Sequence, residues 1–118
     1  MQVIDFHSIE LMRLPVGLVV IGRCGEAGFG IGDVFTEVRF TVHEDDRCVE
    51  EGMEAEVRLV LRDINAFDRS LDRIDPGMTA GILLDGQGFD RLAALDLEAG
   101  IAVGRWRSLR GIRDAEGR

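Results

Sequence analysis

The sequence predicts an all-β fold, a small closed or nearly closed antiparallel β-barrel of six to seven strands. Three observations carry this expectation. Val34 to Val42 and Glu54 to Ile64 alternate apolar and polar residues with period two, the pattern of half-buried strands. Glycine-containing turns punctuate the chain at Gly25 to Gly32, Pro76-Gly77, Gly86 to Gly88 and Gly100. Helical spacing is confined to pieces of about two turns or fewer, too short to hold without support. The 118 residues, 46% hydrophobic and 31% charged, suit one domain. The barrel is expected over residues 1–109 and a flexible tail over 110–118.

In chain order, Gln2 to Met12 is the first predicted strand, alternating imperfectly as a bulged strand would, and Pro15 ends it. Gly17 to Cys24 is the second, nearly continuous in apolar residues and so covered on both faces. Gly25, Gly28, Gly30 and Gly32 then serve a sharp reversal into the strand from Val34. There Val34, Thr36, Val38, Phe40 and Val42 share one face, and Phe35, Glu37, Arg39 and Thr41 the other. His43 to Met53 is expected to be a solvated acidic loop. In the next strand Ala55, Val57, Leu59 and Leu61 face inward. Phe67, Leu71 and Ile74 are spaced for a short helix or a wrapped loop. Met78 to Asp85 is a strand, Phe89 to Leu97 has room for one helical turn, and Ile101 to Trp106 is the last core strand.

Charge limits the partners. The net charge is −8, and all 14 cationic residues are arginine. That balance disfavours nucleic acid, whose phosphates need a cationic surface, and suits a basic protein partner. Glu44, Asp45, Asp46, Glu50, Glu51, Glu54 and Glu56 crowd a short segment opposed by Arg47 alone. No apolar run approaches the roughly 20 residues of a membrane helix, and no signal peptide is visible, so the expected location is the cytoplasm, with no membrane contact.

Residues with chemical potential form no recognised constellation. Gly28-x-Gly30-x-Gly32 is not the dinucleotide pattern and no helix follows it. His7, His43, Cys24 and Cys48 lack metal-ligand spacing, although His43 and Cys48 flank the acidic segment and could approach each other. Ser8, Ser70 and Ser108 lie outside any nucleophile-elbow motif, and His7 and Ser8 point to opposite faces of a strand. No catalytic residue, cofactor or metal is therefore expected. Trp106, between Arg105 and Arg107, is the most suggestive residue. Exposed, it would mark a binding hot spot; folded onto the barrel, it would be a lid with both arginines in solvent.

Several motifs fall in an order that resembles a known domain. Gly17-Leu-Val-Val-Ile-Gly-Arg23 followed by Gly30-Ile-Gly-Asp33-Val-Phe, then Val57 to Ile64, Asp75-Pro-Gly-Met78, Ala80 to Gly86 and Leu97-Glu-Ala-Gly100, resemble the second, β-barrel domain of elongation factor Tu and other translational GTPases. The resemblance covers roughly residues 5 to 107 and implies the barrel fold as a stand-alone unit. It does not bring GTP hydrolysis, because a chain without lysine contains no Gly-x-x-x-x-Gly-Lys-Ser/Thr loop. In that family the domain helps hold the aminoacyl end of tRNA, and the corresponding positions are Asn65, Asp68 and Thr79. None keeps the family's residue type.

The expectation from the whole chain is a non-enzymatic, translation-factor-like barrel acting as a protein-binding module. An acidic immunity- or antitoxin-type protein facing a basic toxin is one alternative. A ribosome- or RNA-associated translation accessory factor contacting tRNA or rRNA is another. Asn65, Asp68, Thr79, Arg105, Trp106 and Arg107 form the candidate binding surface, and the chain is expected to be a monomer or to dimerise through an edge strand.

Overall fold

Strand β1 (Gln2–Leu14) pairs with β2 (Gly17–Cys24), and Pro15 sits in the tight connection between them. The bulge anticipated in β1 lies at Ile9: Ser8 faces Gly22 and Glu10 faces Ile21, so one extra residue falls on β1. A computed structural model describes residues 2–15, 17–88, 90, 91 and 104–113, excluding the side chain of Arg13. The remaining described strands are β3 (Phe29–Gly30), β4 (Val34–Glu44), β5 (Arg47–Ala66), β6 (Arg69–Leu71), β7 (Arg73–Ile74), β8 (Thr79–Gln87) and β9 (Arg105–Arg113).

Six of them close a ring. The order β4-β9-β1-β2-β8-β5 returns to β4 through a direct β4–β5 ladder, and every pairing is antiparallel. Strand β6 extends β5, and β3 pairs with β7 in a separate two-stranded ribbon. Closure removes sheet edges along the ring, which is how a chain this short shields its backbone.

Alternation supplies the core from every wall of the ring. Ile4 and Phe6 of β1, Leu18 and Val20 of β2, Leu59, Leu61 and Ile64 of β5, Ile82 and Leu84 of β8 and Leu109 of β9 are fully buried. The β3–β7 ribbon adds Phe29 and Ile74, in register with each other. The Phe29 ring meets Phe6 and Phe35 edge-on, with centroids 6.0 and 5.2 Å away. Such pairs contribute about 0.5–1.5 kcal/mol each beyond area burial.

Five sequence expectations are corrected. The glycine stretch after β2 does not fold β2 back onto β4. Both hydrogen-bonding edges of β2 are taken, by β1 and β8, so the chain crosses to the far side of the ring. On the way Gly28 passes so close to β7 that a Cβ there would lie 2.6 Å from the Ile74 carbonyl oxygen. Second, Phe35 points inward. The register moves two residues on β4 (Phe35 to Glu37) but three on β5 (Leu59 to Glu56), and across this bulge Phe35 and Val38 both reach the core.

Third, the acidic segment is not a loop. It is a β-hairpin whose strands run to Glu44 and from Arg47, joined by Asp45 and Asp46 with φ of 49° and 64°. Positive φ at both central residues is the two-residue hairpin turn whose twist matches the strands. Fourth, Phe67 and Asp68 (φ 55° and 61°) make a second such turn between β5 and β6, where helical spacing suggested a helix or wrapped loop.

Fifth, the last strand starts at Arg105 and continues through Arg113, beyond the expected end of the barrel at 109. Arg113 holds the crossover, donating to the Gly28 carbonyl at 3.3 Å and approaching the Asp33 carboxylate at 3.7 Å. The expected strand start at Ile101, the tail beyond Arg113 and most of the Phe89–Leu97 turn lie outside the described residues. Asp90 and Arg91 are in a helical turn, and the Arg91 amide donates to the Gly88 carbonyl.

Candidate functional site

The outer face of β1, β9 and β4 is built by register. Successive alternate residues place Asp5 and His7 on β1, Trp106, Ser108 and Arg110 on β9, and Arg39, Thr41 and His43 on β4 along one side. Cross-strand pairing then sets them in rows. Arg110 lies between Asp5 and Glu37, Ser108 between His7 and Arg39, and Thr41 between Trp106 and Glu51 of β5. The acidic hairpin continues from this face and contributes Asp46 and Glu51 as a wall. The result is a groove of about 600 Å³, with Phe40 and Arg107 also in its lining.

Trp106 is 44% exposed in this groove, so it is not a lid. The flanking arginines are not left in solvent either. Arg105 and Arg107 both reach Glu54, at 3.1 and 3.0 Å, and the Arg105 guanidinium lies 4.0 Å over the Phe40 ring. Arg39 is tied to Glu37 at 2.7 Å and Arg110 to Asp5 at 2.9 Å.

The groove gathers groups from which acid–base chemistry is made, but does not connect them. His7 and Ser108 are cross-strand neighbours. Among the described residues no hydrogen bond joins the imidazole to the hydroxyl, and Asp5 is engaged by Arg110. Nucleophilic catalysis needs a base in hydrogen-bond reach of the nucleophile and a third group orienting that base. His43 and Cys48 do approach, as direct cross-strand partners in the hairpin. Among the described residues, however, no three His, Cys, Asp or Glu side chains group to hold a metal ion.

Asn65, Asp68 and Thr79 also come together, but elsewhere on the ring. They rim a dish of about 440 Å³ on the β2–β8–β5 arc, floored by Val19, Ile21 and Gly81. Strand β2 is thus covered on its inner face only: its apolar run does not bury the outer face, where Val19 and Ile21 are half-buried and Arg23 is exposed. Phe67, 81% exposed, also lines the dish. The six candidate residues thus divide between two separate surfaces. From sequence, Glu51 stands out only as part of the acidic segment 44–56, His7 and His43 only as residues of metal-binding type, and Arg39 only as an outward-facing strand residue; none is joined to Trp106. Period-two alternation could have flagged Arg39 and His43 on β4, but only strand register shows that they line the same groove as Trp106, whose direct neighbour is Thr41.

The two cysteines differ sharply. Cys24 is buried, its thiol donating to the Ala27 carbonyl at 3.3 Å, and Cys48 is exposed. Desolvation pushes the Cys24 thiol above its ordinary value of 9.0, with the carboxylates of Asp75 and Asp5 acting in the same direction. Among the described residues no helix is long and apolar enough to cross a membrane. No protein-family model and no curated protein matches the chain.

Proposed function

We propose that this protein is a non-catalytic protein-binding module that engages its partner through the groove between the acidic hairpin and strands β1, β9 and β4. The observation that carries the reading is Trp106, 44% exposed at the centre of that groove. A tryptophan left half in water costs solvation that burial under a partner recovers, and tryptophan is prominent among interface hot spots. The unconnected His7, Ser108 and Asp5 favour recognition over reaction. The order of motifs that resembles the second domain of elongation factor Tu belongs to the same proposal: a barrel of that kind, working in the cytoplasm on a protein. The changed residue types at Asn65, Asp68 and Thr79 weigh against a tRNA end, and the net charge of −8 against any polyanion.

Affinity capture from a lysate of the source cells, run in parallel with wild type and Trp106→Ala, tests the proposal. A stoichiometric protein held by wild type and lost by the variant is expected. Equal capture by both, or capture of RNA alone, would contradict it.

A further inference from the structure

The groove has spare charge of one sign. Its three arginines are each engaged, Arg39 by Glu37, Arg107 by Glu54 and Arg110 by Asp5. The last of these contacts also uses the groove carboxylate of Asp5. Asp46 and Glu51, both exposed on the hairpin wall, make no ion pair among the described residues. Beside the imidazoles of His7 and His43 and the hydroxyls of Thr41 and Ser108, what the groove can still offer a visitor is two carboxylates and the face of an indole.

From this we infer that the groove takes a basic peptide segment, seating one Arg or Lys side chain over Thr41 between the Trp106 ring and the Glu51 carboxylate. The inference rests on the binding-module reading and specifies its partner. Thr41 has Trp106 and Glu51 as its in-register neighbours on either side. Two cross-strand spacings of about 5 Å put the Cβ atoms of Trp106 and Glu51 about 10 Å apart, and both side chains are long enough to lean over Thr41 and meet one guanidinium or ammonium held between them. Cation–π attraction and a charge-assisted hydrogen bond then act on the same group.

The chain makes a comparable contact with its own residues on these strands. The Arg105 guanidinium lies 4.0 Å from the Phe40 centroid and 3.1 Å from Glu54. A cation held by an aromatic face and a carboxylate is therefore an arrangement these strands already support. A phosphate-bearing ligand would meet the same two free carboxylates and be repelled.

Trp106 is the sole tryptophan and the chain has no tyrosine, so intrinsic fluorescence reports the groove directly. Titration at about 150 mM salt, where exposed charges are screened beyond about 8 Å, should use an Arg/Lys-rich nonapeptide, its Glu-substituted counterpart and a single-stranded oligoribonucleotide. Only the basic peptide should give a saturable change in Trp106 emission. Asp46→Asn/Glu51→Gln should weaken it by about tenfold or more, from loss of two favourable charge contacts. Glu26→Gln/Asp85→Asn, which makes the same charge change on exposed residues outside the groove lining, should leave it within about twofold. Circular dichroism checks that each variant is folded.

Equal weakening by the two double variants would reduce the effect to net charge and overturn the inference, as would binding of the oligoribonucleotide or the acidic peptide. A lysate partner lost on Trp106→Ala, with no response to the basic peptide, would overturn the basic-side-chain inference alone. Absence of both would overturn the binding-module reading as well.

Discussion

Strands β4 and β5 each belong to two different structures. Their barrel portions bury Phe35 and Val38 on β4 and Val57, Leu59, Leu61 and Ile64 on β5. Beyond Val38 on β4 and before Val57 on β5, no residue of either strand is fully buried, and seven carboxylates occupy positions 44 to 56. The same backbone ladder therefore holds the fold at one end and presents an acidic arm at the other. Burial of apolar area stabilises the first; the second adds mutual repulsion, which solubility or a cationic partner offsets. Mutations in the barrel should change stability, and mutations in the arm should change association.

The largest expected effect is at the aromatic cluster. Phe29→Ala empties a site that touches both Phe6 and Phe35 and should destabilise the protein by about 3–5 kcal/mol in chemical denaturation. A loss below about 1 kcal/mol would show that the β3–β7 ribbon is dispensable to the core. Next come the two turns of β5, which share a backbone geometry but not a context. Phe67 adopts φ of 55° while 81% exposed, so its strain is unrelieved by contacts. Phe67→Asn keeps a residue that tolerates this region and should raise stability by about 1 kcal/mol, read as a higher Tm. A fall in Tm would mean that Phe67 contributes contacts the exposure does not show.

The cysteines sample the two regions chemically. Cys48 on the arm should react with a thiol reagent at once, and Cys24 in the barrel only after denaturant is added. Because the folded state holds the Cys24 thiol above 9.0, its contribution is constant below the unfolded value and is lost as pH rises through the folded one. Stability should thus be insensitive to Cys24 at neutral pH and decline on the alkaline side of 9. A Cys24→Ser variant that keeps the same alkaline decline would assign it to another group.

Much of the barrel was legible in the sequence because burial writes period two. Gly17 to Cys24 is a strand with the predicted bounds, and Val57, Leu59 and Leu61 face inward as their spacing requires. The bulge between Phe35 and Glu37 was not legible, since it arises where two strands meet rather than within one. Both β5 turns escaped notice for another reason. Asp45-Asp46 and Phe67-Asp68 carry none of the glycine that marks such turns, and the ladders on either side hold them in place. The groove was half legible. Trp106 stood out, but its neighbours Arg39, Thr41 and Glu51 depend on register, and the extension of β9 to Arg113 was hidden behind a charged sequence that resembles a tail.

The most direct test of the division between barrel and arm is peptide binding to an arm-neutralised variant, Glu44→Gln/Asp46→Asn/Glu50→Gln/Glu51→Gln, with its melting curve recorded in parallel. Exposed charge interactions contribute about 0–1 kcal/mol each to folding, and here they repel. The predicted result is a Tm equal to or slightly above wild type, together with loss of the Trp106 response to the basic peptide. A lowered Tm with the response intact would contradict it, placing the acidic arm in the fold rather than in recognition.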